Sequence, residues 1–137
     1  MFENPDTDAL RALLQTVKTI AVVGLSPNPS RPSHRVAAYL QRCGYRIVPV
    51  RPMVDEVLGE KAYATLADIP FAVDIADVFR APGEADAIVT DCIKAGIPRL
   101  WLQDGVINEP AALRAQAAGI TVVMDRCMLR DHANLLT

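Results

Sequence analysis

A glycine that ends a helix and leads at once into a strand occurs three times in this chain. The glycines and the strands that they precede are Gly44 before Tyr45–Val50, Gly96 before Pro98–Gln103, and Gly119 before Ile120–Met124. Glycine at such a position readily takes the left-handed conformation that ends a helix. The strands are almost continuously apolar, which is typical of a parallel sheet covered on both faces. The junctions therefore predict successive strand–helix–strand units.

Apolar periodicity predicts the elements of the first half of the chain. Asp6 or Thr7 can cap a first helix, because the leucines and the valine within 10–17 follow the i, i+3, i+4, i+7 spacing of one helix face. The β-branched run Ile20–Val23 then predicts a buried first strand. A second helix, with its apolar residues again on one face, leads to Gly44.

The second half alternates in the same way after a less regular segment. Met53–Phe71 contains a single predicted helical turn and no long amphipathic helix, so we interpret it as a shortened crossover. Val73–Phe79 is the predicted third strand, and Glu84–Ala95 is the helix after it. Asn108 can cap the next helix, and Met128–Thr137 is expected to form a short terminal helix.

These elements predict one α/β domain that spans residues 1–137. About five parallel strands with helices on both faces make a doubly wound sheet, for which we expect the strand order 3-2-1-4-5. In such a sheet ligands bind beyond the carboxyl ends of the strands, at the switch point beside the first strand. Four stretches are therefore expected to meet in one crevice. They are 24–33, 50–52, 79–80 and 103–105.

Composition and charge limit the possible functions. The chain is 51% hydrophobic and 22% charged, as compact domains are. Its net charge of −2 argues against a general nucleic-acid binder, and no apolar run approaches the roughly 20 residues that cross a bilayer. The start of the chain lacks the basic and apolar regions of a signal peptide. Three widely spaced cysteines make no disulfide framework. We expect a cytoplasmic protein.

The loop after the first strand is the main candidate for a binding site. Gly24 ends the strand, a loop rich in proline and serine follows, and a helix then begins. This arrangement places a phosphate group on free backbone N–H groups at a helix N-terminus. Serine hydroxyls can add hydrogen bonds, and Arg31 and Arg35 can add positive charge. The alternative is an ordinary strand–helix connection without a ligand.

Two positions indicate which nucleotide would fit. The dinucleotide fingerprint G-x-G-x-x-G is absent, because Gly24 stands alone and Ser26 takes the place of the second glycine. An NAD site also needs an acid at the end of the second strand, where this chain has Arg51. An arginine there attracts a phosphorylated ribose. The residues favour a nucleotide with an extra ribose phosphate, either NADP or coenzyme A (CoA).

Motifs spread over nearly the whole chain resemble those of one family. They are Val22-Val23-Gly24-Leu25-Ser26, Arg31-Pro32-Ser33, Gly44–Val50 with Pro52, Val78-Phe79-Arg80, Trp101-Leu102-Gln103 with Gly105, and Met124-Asp125-Arg126-Cys127. In order and spacing they resemble the small, free-standing CoA-binding proteins related to the N-terminal domain of the succinyl-CoA synthetase α-chain. The resemblance implies a Rossmann-like domain with the ADP part of coenzyme A in the crevice.

The resemblance also implies a set of ligand contacts. The loop after the first strand would surround the pyrophosphate, Pro52 and its neighbours would flank the adenosine, and the end of the third strand would border the pocket. The family usually has asparagine before that proline and often a basic residue after it, whereas this chain has Arg51 and Met53. We therefore expect Arg51 to bind the 3′-phosphate. The full expected set is Gly24, Ser26, Asn28, Arg31, Pro32, Ser33, Arg35, Arg51, Pro52, Met53, Phe79 and Arg80.

The histidines and cysteines make no catalytic or metal site in the sequence. His34 is expected at the start of a helix, touching ligand or solvent, and His132 is expected at the surface. Without a C-x-x-C pair a metal site is not expected. Cys43 and Cys92 fall on apolar helix faces, which predicts a place in the core. Cys127 follows the fifth strand and either packs or forms a mixed disulfide with the CoA thiol.

Other polar and aromatic residues do not supply a catalytic group either. Asp74 and Asp77 are three apart in a strand, which places them on opposite faces, and Trp101 is expected in the core. Without a nucleophile, base and orienting group, we expect a CoA or acyl-CoA binder that does not catalyse on its own. It could act with an enzyme partner or as a homodimer. The alternatives are a small NADP-dependent oxidoreductase and an interaction protein without a ligand.

Overall fold

The computed structural model describes residues 1–136, which form five α-helices and seven strands. The helices are α1 (Thr7–Thr16), α2 (Pro32–Arg42), α3 (Ala85–Ala95), α4 (Glu109–Ala117) and α5 (Met128–Leu136). The strands are β1 (Thr19–Val23), β2 (Arg46–Val50), β3 (Glu56–Val57), β4 (Glu60–Lys61), β5 (Ile75–Val78), β6 (Arg99–Leu102) and β7 (Thr121–Met124). Five of the strands form one parallel sheet in the order β2-β1-β5-β6-β7, and β3 and β4 form a small antiparallel hairpin. The predicted doubly wound α/β fold is confirmed.

The expected strand order 3-2-1-4-5 is wrong. The predicted third strand is β5, which pairs with β1, so the five main strands follow the order 2-1-3-4-5. All four residues of β5 are buried, and a strand in that environment needs a neighbour on each side. The start of β5 is held beside β1, because the carboxylate of the preceding residue, Asp74, accepts hydrogen bonds from the backbone N–H groups of Lys18 (2.8 Å) and Thr19 (2.9 Å).

The free edge of β2, where the third strand was expected, is covered by the crossover itself. The backbone N–H of Arg51 donates to the carbonyl of Tyr63 (2.8 Å), and the N–H of Tyr63 donates to the carbonyl of Pro49 (2.9 Å). The hairpin and a single turn at Leu66–Asp68 make up the rest of the segment. The shortened crossover was therefore predicted correctly, and it occupies the place that we assigned to a strand.

The opposite edge of the sheet is covered at one point by the N-terminal segment. The side-chain amide of Asn4 donates to the carbonyl of Met124 (2.9 Å) and accepts its N–H (2.8 Å). These two hydrogen bonds take the place of those that one residue of a neighbouring strand would make. Each edge of the sheet thus has part of its backbone hydrogen bonding satisfied within the chain.

The helix ends confirm the predicted capping residues. The Asp6 carboxylate accepts the N–H of Ala9 (2.9 Å) at the start of α1, and the Asn108 side chain accepts the N–H of Ala111 (3.1 Å) at the start of α4. The glycines at all three helix–strand junctions have positive φ values, as the junctions predicted. The helix expected from Glu84 begins at Ala85, after one 3-10 turn.

The sheet separates two apolar cores. One face packs against α3 and α4, and the other packs against α1, α2 and α5. Trp101 is fully buried in the second core and donates its indole N–H to the carbonyl of Arg126 (2.8 Å), so the prediction of a core tryptophan is confirmed. Cys92 is buried in the first core, where burial raises the pKa of its thiol to about 12.

Two predictions about side-chain exposure are wrong. Cys43 is exposed, because it is the C-cap residue of α2, where the helix ends. His132 is buried, because α5 folds back against α1 and α2 and carries the imidazole inward. Its Nδ1 lies 2.9 Å from the hydroxyl of Tyr39. Burial lowers the pKa of His132.

Asp77 is the one buried carboxyl group without a hydrogen-bond partner within residues 1–136. It lies in the middle of β5 between Val22 and Trp101 of the neighbouring strands, with no exposed surface. Burial alone raises its pKa well above the ordinary value. Its burial without a partner therefore favours the neutral, protonated acid. No helix within residues 1–136 combines the length and the apolar composition that crossing a membrane requires.

Candidate functional site

The carboxyl ends of all five parallel strands open into one cavity of about 750 Å³. Its lining residues are Gly24, Ser26, Arg31, Pro32, Ser33, Arg35, Val36, Arg51, Phe79, Arg80, Gln103, Asp104, Val106, Cys127 and Leu129. Neighbouring strands lie about 4.8 Å apart, so five strands span about 19 Å across the sheet. The cavity is therefore an elongated crevice that suits an extended ligand. It includes the switch point between β1 and β5.

Gly24 brings the end of β1 into close contact with the end of β5. Its φ is +87°, and a Cβ atom at this position would lie 2.5 Å from the backbone oxygen of Phe79. The N–H of Gly24 donates to the carbonyl of Val50 (2.8 Å), which ties the same turn to β2. Only glycine fits this turn without displacing the backbone of the cavity floor.

The loop between β1 and α2 is held by its own side chains. The Ser33 hydroxyl accepts the N–H of Ser26 (2.9 Å), and the Ser26 hydroxyl accepts the N–H of Asn28 (3.1 Å). The side-chain oxygen of Asn28 accepts the N–H of Ser30 (3.0 Å). The serines predicted to contact a ligand thus also fix the conformation of the loop. Asn28 is exposed, braces the loop and does not line the cavity.

The N-terminus of α2 presents free backbone donors beside the cavity. Arg31 is the N-cap residue and makes no side-chain capping hydrogen bond, and Pro32 has no N–H. The N–H groups of Ser33 and His34 have no acceptor within residues 1–136. An anion placed there meets two donors and the positive end of the helix dipole.

Four arginines line one half of the cavity, which we call the cationic half: Arg31, Arg35, Arg51 and Arg80. Arg35 donates to a loop carbonyl (2.7 Å), and Arg80 lies 3.9 Å from a glutamate carboxylate. The side chains of Arg31 and Arg51 have no hydrogen bond or ion pair within the described chain. The cationic half lies beyond the ends of β2, β1 and β5. It carries an excess of positive charge that can balance several phosphate oxygens.

The other half of the cavity, beyond β6 and β7, is close to neutral; we call it the neutral half. It is lined by Gln103, Asp104, Val106, Cys127 and Leu129. The Asp104 carboxylate accepts two hydrogen bonds from Arg130 (2.9 and 3.0 Å), which lower its pKa.

Gln103 and Cys127 are the least hydrophobic uncharged side chains that line the neutral half, and both are at least partly shielded from solvent. Gln103 is 3% exposed, and its side-chain oxygen accepts the N–H of Met128 (3.1 Å) at the start of α5. Cys127 is half-buried. Its thiol is placed where a ligand could meet it, and the mixed disulfide remains a prediction.

Nine of the twelve residues predicted to contact a ligand line the cavity. The exceptions are Asn28, Pro52 and Met53, and Met53 is fully exposed. His34 is half-buried in the first turn of α2 and is not part of the lining. No group of three histidine, cysteine, aspartate or glutamate side chains within residues 1–136 is arranged to hold a metal ion.

The expected set of ligand contacts omits six lining residues, five from the neutral half and one from α2. They are Val36, Gln103, Asp104, Val106, Cys127 and Leu129. Gln103 and Asp104 belong to the stretch 103–105, which was expected in the crevice because the carboxyl ends of parallel strands face it. Cys127 was expected either to pack or to meet the CoA thiol. Leu129 had no such signal, since it depends on how α5 packs back onto the sheet.

Comparisons with known proteins find relatives that match nearly the whole chain. An uncharacterized protein of Bacillus subtilis, YneT, is 40% identical over 131 residues, which are 96% of this chain and 97% of that protein. A hypothetical protein from Pyrococcus horikoshii has a solved structure with a TM-score of 0.93 and 37% identity, and the match covers 100% of both chains.

A third relative is an enzyme of which this chain matches a small part. ADP-forming acetate–CoA ligase II of Archaeoglobus fulgidus is 30% identical over 82 residues, which are 58% of this chain and 12% of the ligase. The expected likeness to the succinyl-CoA synthetase α-chain is therefore supported only as far as a shared CoA-binding fold. The family model described as CoA binding domain matches residues 18–133. The chain belongs to this family of CoA-binding domains.

Proposed function

We propose that this protein binds coenzyme A or an acyl-CoA in the cavity and does not transform it on its own. The ADP-3′-phosphate part of the ligand lies in the cationic half. The observation that carries the proposal is the pair of unpaired arginines, Arg31 and Arg51, beside a helix N-terminus with free N–H groups. A nucleotide with phosphates at two separate places would engage both arginines.

The pyrophosphate of the ligand lies against the start of α2. The free N–H groups of Ser33 and His34 donate to its oxygens, and Arg31 supplies the charge. The loop is already braced through Ser26 and Ser33, so little conformational entropy is lost when the ligand binds.

The 3′-phosphate lies beside Arg51. This side chain is half-buried directly after β2, and its backbone is fixed by the hydrogen bond to Tyr63. A charged hydrogen bond between guanidinium and phosphate contributes about 1.5–3 kcal/mol. The Arg51→Ala variant should therefore bind CoA about tenfold or more weakly.

Dephospho-CoA, which lacks only the 3′-phosphate, tests the role of Arg51. The variant should bind dephospho-CoA as tightly as the unchanged protein does. Arg42→Ala removes the same charge from the far, exposed end of α2 and serves as the control, with little change expected for either ligand. Equal losses for CoA and dephospho-CoA would refute the role assigned to Arg51.

Calorimetric titration with CoA, acetyl-CoA, NADP and NAD tests the ligand class. We expect heat of binding with the first two ligands alone. Binding of NADP without CoA would instead support the oxidoreductase alternative, which also uses an arginine next to a ribose phosphate. If none of the four ligands binds or raises the melting temperature, the chain is an interaction protein and the proposal fails.

We propose that catalysis, where it occurs, belongs to an enzyme partner. The ligase relative is several times longer than the segment that this chain matches, which supports a role as one part of a larger enzyme system. Incubation of the protein with CoA, acetate and ATP should leave the free CoA thiol unchanged. A fall in thiol content that requires the protein together with both acetate and ATP would overturn the non-catalytic part of the proposal.

A further inference from the structure

A side-chain amide in the neutral half has an unused hydrogen-bond donor. Gln103 lines the cavity and is 3% exposed. Its oxygen accepts the N–H of Met128 (3.1 Å), which fixes the orientation of the amide, so the Nε2 group points the other way. Nε2 has no acceptor within residues 1–136. The free Nε2 group can therefore donate a hydrogen bond to an acceptor on a ligand in the cavity.

The surroundings of Gln103 define the acceptor that fits. Val106 and Leu129 offer apolar surface in the same half of the cavity. Asp104 is held by two hydrogen bonds from Arg130. Because the arginines that line the cavity lie in the cationic half, the neutral half favours an uncharged carbonyl oxygen with an alkyl group next to it.

The order of the strands places this group at the far end of an extended ligand. Arg51 follows β2 and Gln103 follows β6, three strand spacings or about 14 Å away. If the phosphates of CoA occupy the cationic half, as proposed above, the pantetheine arm runs across the sheet toward β6 and β7. The end of that arm carries the thiol or its acyl thioester.

We propose that the ligand is an acyl thioester of CoA and that Gln103 is the residue that selects it over free CoA. The Nε2 group of Gln103 donates a hydrogen bond to the thioester carbonyl, and the acyl chain packs on Val106 and Leu129. A free thiol offers no carbonyl oxygen at this position. The inference depends on the proposed function, since it requires the phosphates of CoA to bind over β2 and β1.

The test compares acetyl-CoA with S-ethyl-CoA, which has a CH₂ group in place of the carbonyl. The full chain should bind acetyl-CoA about tenfold more tightly, the factor that corresponds to about 1.4 kcal/mol. In Gln103→Leu the two ligands should bind with equal affinity. The four dissociation constants form a cycle that isolates the contact between the amide and the carbonyl.

A second variant separates recognition from a structural effect on α5. Gln103→Glu retains an oxygen for the N–H of Met128 but lacks the amide donor, so it should also lose the preference for acetyl-CoA. Arg51→Ala should weaken binding of both ligands by the same factor and retain the preference.

The outcomes distinguish this inference from the proposed function. If the unchanged protein binds acetyl-CoA and S-ethyl-CoA equally, the inference is wrong while CoA binding stands. A preference that survives in both Gln103 variants overturns it as well. If neither ligand binds and CoA does not bind, the proposed function itself fails.

Discussion

Replacing Gly24 by alanine should destabilise the fold through one defined contact. The added Cβ would lie 2.5 Å from the backbone oxygen of Phe79 and 3.3 Å from the side chain of Arg80. Alanine in the left-handed region costs about 1–2 kcal/mol. Moving a backbone carbonyl in a packed region costs about 1–3 kcal/mol more. The free energy of unfolding of Gly24→Ala should therefore fall by about 2–5 kcal/mol.

Gly119 offers a closely matched control. Its φ of +89° is nearly that of Gly24 (+87°), but a Cβ at Gly119 would have no atom within 4 Å. Gly119→Ala should thus lose only the conformational part, about 1–2 kcal/mol. The difference between the two variants measures the contact with Phe79.

Urea unfolding followed by circular dichroism measures both variants. At a slope of about 1–3 kcal/mol per molar urea, the midpoint of Gly24→Ala should fall by about 1 M or more, with the slope unchanged. The midpoint of Gly119→Ala should fall by less. If the two variants are equally destabilised, the close approach of β1 and β5 is not what requires glycine at position 24.

Three further predictions concern single groups. Asp77→Leu should stabilise the protein at neutral pH by about 1–3 kcal/mol, because it removes a buried acid without a partner. In the folded state Asp77 stays protonated, whereas in the unfolded state it loses its proton above the ordinary pKa of 3.8. The stability of the unchanged protein should therefore fall as the pH rises from 3.8 to the raised pKa, by at most about 1.4 kcal/mol per pH unit. Urea unfolding at several pH values measures this trend, and parallel profiles for the two proteins would contradict it. Asn108→Ala should lower the free energy of unfolding by about 1 kcal/mol through loss of the α4 cap, whereas a change below the error of urea titration would leave the cap without a role. Arg130→Ala should lower it by less than about 1 kcal/mol, since both partners of its ion pair are more than half exposed, and a thermal unfolding scan that shows a large loss would indicate that the pair holds α5 in place.

Local signals predicted most of the elements. The caps at Asp6 and Asn108 and the three glycine junctions depend on residues within one or two turns, and the structure has each of them in place. Apolar runs likewise located all five strands of the main sheet. Each of these features follows from a hydrogen bond or a backbone angle within a short segment. That is why they can be read from the sequence.

Contacts between distant segments were beyond those signals. The place of β5 depends on a carboxylate at Asp74 that binds backbone far away in sequence, and the edge of β2 depends on Tyr63. The burial of His132 depends on how the terminal helix docks. No pattern within the residues around these positions encodes such partners.

The candidate site was predicted in part for the same reason. The loop from Gly24 to Arg35 is one segment, and six of the seven ligand contacts predicted within it line the cavity, with Asn28 as the exception. Pro52 and Met53 were placed in the site by the resemblance to a family, yet neither of them lines the cavity. For Gln103 the reverse holds. Its strand end was expected in the crevice, but its side-chain amide was not predicted as a ligand contact.

Contacts within the chain hinder the addition of a further strand at both edges of the main sheet. Tyr63 is hydrogen-bonded to the outer edge of β2, and Asn4 is hydrogen-bonded to Met124 at the outer edge of β7. Extending the sheet into a second molecule would therefore first require breaking these hydrogen bonds. Self-assembly by strand addition, the route to fibres and to many dimers, is thereby disfavoured. A homodimer that leaves these hydrogen bonds intact would use other surfaces of the chain, and its interface would not disturb the strands that carry the cavity.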